Sequence, residues 1–305
     1  MKMSDVKHSG DPTDRTVTFS WDLVEVCNYR CSYCSAEHFL KKQMNTSHLN
    51  AYKQVISRLA LSGMHKFKIE LLGGEPTLHP HLLEIITSLN NINKCIKIEL
   101  VTNLSKTEQY FQQFNIPECN KLHLNPSYHP EYFQPSFIEK CISIKKSKYL
   151  KVTPNINLSD DENRWDSTIS LIQTLKDAGI NIGLNFLIAT RAGWKPNYTE
   201  KFFEKFKPII NDNLASITHS IPYNINGNIL NLNEYDIQKN HLRFFQGFKC
   251  TPLMWHIKSN GDIVNHCTGI PLSPLASNVD ASTICNISEG CDCDIKYTYH
   301  KTRVE

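Results

Sequence analysis

The chain has no apolar run approaching the roughly 20 residues needed to cross a bilayer, so no membrane helix is expected. Its first residues, Met-Lys-Met-Ser-Asp-Val-Lys-His, lack the apolar core of an export signal, and a cytoplasmic protein is expected. Neither charge sign is in excess. Against 30 acidic residues stand 33 Lys and Arg, and the resulting net charge of +3 demands no acidic partner. The densest basic patch, Lys145, Lys146, Lys148 and Lys151, reads as a solvated face, and no nucleic-acid partner is expected. Cysteine, by contrast, is plentiful at eleven residues. In a chain without an export signal, thiols stay reduced and point to metal or redox sites rather than disulfides.

Eight of the eleven gather toward the two ends, while Cys95, Cys119 and Cys141 stand alone and read as small buried hydrophobes. The first group is Cys27, Cys31 and Cys34 in Cys-Asn-Tyr-Arg-Cys-Ser-Tyr-Cys. Thiolates are the usual ligands of iron–sulfur clusters, and a full set numbers four, so three leave one iron open. Zinc is the competing reading, but a closed zinc site wants four ligands, commonly two Cys-x-x-Cys units, and no second unit stands nearby. About forty residues on, Lys66-Phe-Lys-Ile-Glu-Leu-Leu-Gly-Gly-Glu-Pro76 reads as a strand running into a glycine-rich turn. Two glycines there let the backbone approach a ligand, and Glu75 offers a carboxylate to an ammonium group.

Together these residues resemble the CxxxCxxC and GGEP motifs of the radical S-adenosylmethionine (SAM) superfamily. The resemblance implies a 4Fe–4S cluster whose open iron chelates the amino and carboxyl groups of SAM. It assigns Cys27, Cys31 and Cys34 to the metal. Tyr33, Gly73, Gly74, Glu75 and Pro76 fall to the cosubstrate, with Glu75 on the methionine ammonium. It implies hydrogen-atom abstraction by a 5′-deoxyadenosyl radical and a low-potential electron donor, a flavodoxin or ferredoxin, as transient partner.

Strand-like and helix-like segments alternate from residue 16 onward, the pattern of parallel β/α units. Six strands are expected, at Thr16–Asp22, Lys66–Leu72, Ile96–Thr102, Lys121–Pro126, Leu150–Ile156 and Asn181–Ile188. Between the last two, Trp165, Ile169, Ile172 and Leu175 recur at helical steps. Six fall short of the eight of a closed barrel. The fold class is therefore α/β, a partial TIM-like barrel matching the superfamily's (β/α)6 core by resemblance, with a small cysteine-rich β-hairpin extension. Active sites of such barrels sit at the strands' C-terminal ends, where both motifs fall. The same rule points to Asn103 and to Ser127, Tyr128 and His129. By resemblance Asn103 and Ser127 contact SAM, with turn capping as the alternative for each. Asn155, Asn185 and Arg191 are candidates to face cosubstrate or substrate, with ordinary loop chemistry as the alternative for each.

From Cys250 a different pattern begins, with Asn260-Gly261 between two apolar strands as a hairpin signal. Cys250 and Cys267 then stand near its open ends, followed by Cys285, Cys291 and Cys293. This arrangement resembles the twitch or SPASM extension, which implies one auxiliary iron–sulfur cluster held by four of the five, the spare one unassigned. Zinc is the alternative, with His266 or His300 as further ligands. The expected organisation is a tail at 1–15, the core at 16–210, a connection at 211–249 and the extension at 250–305.

An auxiliary cluster points to an oxidoreductase, a net oxidation by dehydrogenation or cross-linking, with direct ligation of the substrate as its alternative role. Twenty-six residues precede Cys27, fewer than the recognition domain some peptide maturases carry in front, which favours a small polar substrate over a peptide. Tyr223, Asn224 and Trp255 are candidate pocket residues, with a surface or core position as the equal alternative for each. Epimerisation needs a thiol donor, yet Cys95, Cys119 and Cys141 all lie away from expected strand C-termini. An electron carrier would leave Glu75 and the glycines without a role.

Overall fold

The computed structural model of the chain describes residues 1–9, 16–34, 41, 43–62, 66–132, 134–187, 195–212, 221–232, 234–251, 253–265, 271, 282–286 and 300–304. The strands are β1 (Val6–Ser9), β2 (Val17–Val24), β3 (Phe67–Gly73), β4 (Cys95–Thr102), β5 (Leu122–Tyr128), β6 (Lys151–Val152), β7 (Asn155–Leu158), β8 (Gly183–Phe186), β9 (Ile221–Ile225), β10 (Asn228–Leu232), β11 (Phe248–Thr251), β12 (Met254–Ile257), β13 (Ile263–Asn265), β14 (Thr283–Ile284) and β15 (His300–Arg303). The helices are α1 (Ala51–Leu61), α2 (Leu82–Asn90), α3 (Glu108–Gln112), α4 (Ser136–Lys145), α5 (Trp165–Asp177), α6 (Glu200–Asp212) and α7 (Glu234–Lys239).

The larger sheet runs in the order β13-β12-β2-β3-β4-β5-β7-β8, with β6 also on β5. Strands β2 to β8 are parallel and lie in chain order, as right-handed β/α crossovers place them. The sheet does not close among the described residues, so the expected partial barrel is the fold. The expected strand Leu150–Ile156 is broken, with β6 and β7 separated by Thr153 and Pro154. Proline has no N–H for the ladder, which forces the break. Thr153 N still donates to Leu124 O (3.0 Å), so pairing with β5 resumes beyond it at Ser127 and Asn155.

Alternation along the strands separates two faces. Phe67, Ile69 and Leu71 of β3, Ile98 and Leu100 of β4, and Leu122 and Leu124 of β5 are fully buried against the helices. Helix α1 meets them with a stripe of Tyr52, Val55 and Leu59. The residues between are polar: Lys68 and Glu70, Lys97 and Glu99, His123 and Asn125. All are half-buried, and together they line the concave face.

The hairpin forms as expected, β12 pairing with β13 from Trp255↔Asn265 to Ile257↔Ile263 around Gly261 at φ +89°. It is not an appendage, because β12 pairs in parallel with β2 from Met254↔Thr18 to Ile257↔Trp21. Its turn rests on α1, where a Cβ on Gly261 would lie 3.4 Å from Ala51 Cβ, and Arg58 donates to Gly261 O (3.2 Å). Trp255 and Ile257 enter the main core, whereas Met254 enters a second one with Val6, Tyr223, Phe248 and Cys250.

That second core belongs to a six-stranded sheet in the order β10-β9-β1-β15-β11-β14. The segment expected as an N-terminal tail thus contains β1, paired with β9 and β15. The boundary expected at 249/250 falls inside β11. No helix among the described residues is long and apolar enough to cross a membrane.

A hairpin that is part of the barrel sheet must melt with it. Ile257→Ala, at a fully buried site, is expected to lower the stability of the whole barrel by about 2–5 kcal/mol in a single denaturant transition. An unchanged barrel transition would show that β12 folds apart.

Candidate functional site

The loop after β2 carries Cys27, Cys31 and Cys34, and a second loop grips it from below. Gly74 N donates to Val24 O and Glu75 N to Val26 O, both at 2.8 Å. A Cβ on Gly73, at φ +122°, would stand 2.3 Å from Val24 O, and one on Gly74 would stand 2.0 Å from Val26 O. The two glycines were expected to admit a ligand. In the structure they also admit the backbone of the cysteine loop.

Glu75 is 1 % exposed and caps the short turn Pro76–Leu78. Its Oε1 accepts from Thr77 N (3.1 Å), Thr77 Oγ1 (2.5 Å) and Thr102 Oγ1 (2.6 Å), and its Oε2 from Asn103 N (2.8 Å). One carboxylate therefore ties the end of β3 to the end of β4. Burial pushes its pKa up from the ordinary glutamate range despite these four donors. Asn103 makes the turn-capping bond, accepting from Ser105 N (3.1 Å), and also donates to Asn28 Oδ1 (2.8 Å) in the cysteine loop. Ser127 lines a narrow cleft with Asn103, Tyr29, His129 and Tyr132.

A third grip comes from the turn after β5, which no motif marks. Ser32 N and Oγ both donate to the Glu131 carboxylate, at 2.9 and 2.5 Å. Arg30 N donates to Tyr132 Oη (2.9 Å), so Cys31 is anchored on both sides. Cys31, Tyr29 and Tyr33 are each buried, and Cys27 and Cys34 pack against them. Burial pushes the Cys27 thiol up and the Cys31 thiol up to about 12, with mutual repulsion among the three adding to the effect. Such thiols ionise together only beside a compensating cation, which fits a metal cluster. Of the residues named from sequence, Asn155 pairs with Ser127 and Asn185 lies 3.4 Å from Asn157, both on the concave face, while Arg191 lies outside the described residues.

The C-terminal candidates are only partly placed. Cys250, on β11, is opposite Thr283, and Cys285 N donates to Phe248 O, so two thiols share one face of the second core. Cys267, Cys291, Cys293 and His266 lie outside the described residues, as does the side chain of His300. Tyr223 is core, its hydroxyl bonded to Leu242 O (3.1 Å), and Trp255 is core too. Asn224 accepts from Gly227 N (2.9 Å) as a turn cap. Cys95, Cys119 and Cys141 are fully buried, and burial pushes them up to about 11, 11 and 12, as small apolar fillers.

The Radical SAM superfamily model matches residues 22–191, more than half of the chain, from the end of β2 through β8. The chain belongs to the radical SAM superfamily. Among its relatives, it is 31% identical over 134 residues to the GTP 3′,8-cyclase of Haemophilus ducreyi, covering 39% of each chain. To the probable GTP 3′,8-cyclase of Thermococcus kodakarensis it is 24% identical over 202 residues, covering 61% of this chain and 62% of that one. It thus spans less than two thirds of the length of these curated relatives. Two solved structures share its fold. Streptococcus suis SuiB bound to S-adenosylmethionine matches at TM-score 0.52 and 14% identity, over 81% of this chain and 59% of that one. Native anSMEcpe with bound AdoMet matches at 0.53 and 17%, over 81% and 73%.

Two outcomes follow from the site's packing and charge. Gly74→Ala is expected to cost about 1–3 kcal/mol through the collision with Val26 O and to lower the iron retained per chain after anaerobic reconstitution. Gly227→Ala, in an open turn with nothing within 4 Å, is expected to keep its iron. Separately, burial among Lys97 and Lys151 holds His123 down to about 4, against Glu99's opposing pull. The folded protein therefore binds this proton less readily than the unfolded chain, whose value is 6.5, and stability falls as pH drops from about 6.5 to about 4. His123→Gln is expected to flatten that part of the profile in urea titrations at pH 7 and pH 5.

Proposed function

We propose that Cys27, Cys31 and Cys34 hold a 4Fe–4S cluster with one open iron and that Tyr33, Gly73, Gly74, Glu75, Pro76, Asn103 and Ser127 form the SAM end of the barrel. The observation that carries this reading is the direct backbone pairing of the cysteine loop with the Gly74–Glu75 turn, at the C-terminal ends of adjacent strands. When bound, these groups supply one-electron cleavage of SAM to methionine and a 5′-deoxyadenosyl radical, which takes a hydrogen atom from a substrate C–H bond. The electron comes from a low-potential flavodoxin or ferredoxin.

The chain's own contribution is placement and exclusion of water. Glu75 is buried and its charged form is disfavoured. An ammonium at Oε2, which has one internal donor against three at Oε1, supplies the missing positive charge. Asn28 and Asn103 lock the cysteine loop to the rim of β4.

The concave face supports a small polar substrate. Lys97 and Glu99 (2.7 Å), Asn125 and Glu99 (3.2 Å), His123 and Thr153 (2.8 Å) and Asp22 and His256 (2.6 Å) give it many hydrogen-bonding groups. A peptide is the second reading, since the anSMEcpe fold is also described with AdoMet and a Cp18Cys peptide. The shared face of Cys250 and Cys285 supports an auxiliary iron–sulfur cluster completed from Cys267, Cys291 and Cys293, and with it a net oxidation.

Anaerobically reconstituted protein with dithionite and SAM is expected to form 5′-deoxyadenosine, and the Cys27/Cys31/Cys34→Ala triple variant to form none. About four irons remaining in that variant support the auxiliary cluster. Zinc in place of iron there would make the C-terminal cysteines structural and remove the ground for a net oxidation.

A further inference from the structure

Cys31 differs from its two partners in what surrounds its sulfur. His129 directly follows the last residue of β5, and its Nδ1 lies 3.4 Å from Cys31 Sγ and 3.3 Å from Tyr33 Oη. The ring is held on two sides. Tyr33 stacks on it with centroids 6.1 Å apart and planes 7° apart, and Tyr29 meets it edge-on at 5.8 Å and 89°. Tyr29 is itself stacked on Tyr132 at 4.2 Å, and Tyr132 accepts the Arg30 N–H within the cysteine loop. This aromatic shell leaves the imidazole little freedom to rotate away from the sulfur.

Tyr33 is also hydrogen-bonded to the Cys31 sulfur, and an iron-bound thiolate has lone pairs and no proton, so the sulfur accepts and the Nδ1–H and phenol O–H donate. Hydrogen bonds to cluster sulfurs are among the factors that set reduction potential. They favour the more negative, reduced state and so raise the potential. Partners just outside the ligands tune metal sites in the same way.

We propose that His129 is a positioning residue which, with Tyr33, donates to Cys31 Sγ and raises the reduction potential of the cluster on the cysteine loop. The inference rests on the cluster assignment under Proposed function. On reduction, one electron enters from the chemical reductant and both protons stay on their donors.

The test is a redox titration of the full-length reconstituted chain, followed by electron paramagnetic resonance, with iron counted in each sample. The species of interest is the one missing from the Cys27/Cys31/Cys34→Ala variant. His129→Phe is expected to retain iron and to titrate at a more negative potential. His129→Asn, which keeps an amide donor, is expected to shift less. Unchanged potential in iron-loaded His129→Phe overturns the inference. Should that variant lose its iron, Tyr33→Phe decides, since it removes only a hydroxyl: a more negative potential supports the inference and an unchanged one overturns it. Wild-type chain that takes up no iron at the three cysteines overturns the cluster reading itself, a result distinct from a loaded cluster whose potential does not move.

Discussion

Everything at the rim of this barrel depends on one steric fact: the turn after β3 and the loop after β2 touch backbone to backbone. No side chain fits between Gly74 and Val26 O, where even a methyl carbon would stand 2.0 Å away. That contact lets two hydrogen bonds form, fixes where the cysteine loop starts, and delivers the Glu75 carboxylate to the end of β4. The loop is then tied at two further points, by Asn103 through Asn28 and by Glu131 and Tyr132 beside Cys31. Three neighbouring strand ends thus converge on ten residues of chain that have no regular structure of their own.

The sheet below obeys a second constraint. Parallel strands buried on both faces read as continuous apolar runs. Here Phe-Lys-Ile-Glu-Leu in β3 and Leu-His-Leu-Asn in β5 alternate instead, because only the helix-facing side is dry. An open barrel has no closed interior to fill, so its inner face carries ion pairs and amides such as Glu99 with Lys97 and Asn125. Charge is affordable there because it is paired: burial raises the Glu99 carboxyl, and Lys97, Asn125 and His123 more than offset it, leaving it below the usual range.

How much of this was legible follows from which interactions are local. The strands from β2 to β5 and β8 were readable from periodicity, and the motif residues from their resemblance to the CxxxCxxC and GGEP patterns. Proline's missing donor was in plain view at Pro154, yet the strand was read through it. The glycines' part in seating the cysteine loop was hidden because that neighbour is the chain itself, forty-odd residues back. Glu131 and Tyr132 carried no signal, since an acidic residue and a tyrosine after a strand are ordinary until the loop they hold is seen. The place of β12 and β1 was hidden for the same reason: their partners are more than two hundred residues away, and periodicity says nothing about partners.

That distance bears on how the chain matures. Phe19 of β2 pairs with Trp255 of β12, so during synthesis the outer edge of β2 stays unpaired until β12, more than two hundred residues later, has emerged. The strand that leads into the three cysteines is therefore among the last to be completed on its outer edge. The cysteine loop and its anchors, which all lie before residue 133, can therefore be assembled while that edge is still open, so the rim of the barrel is independent of its last strand in the order of synthesis.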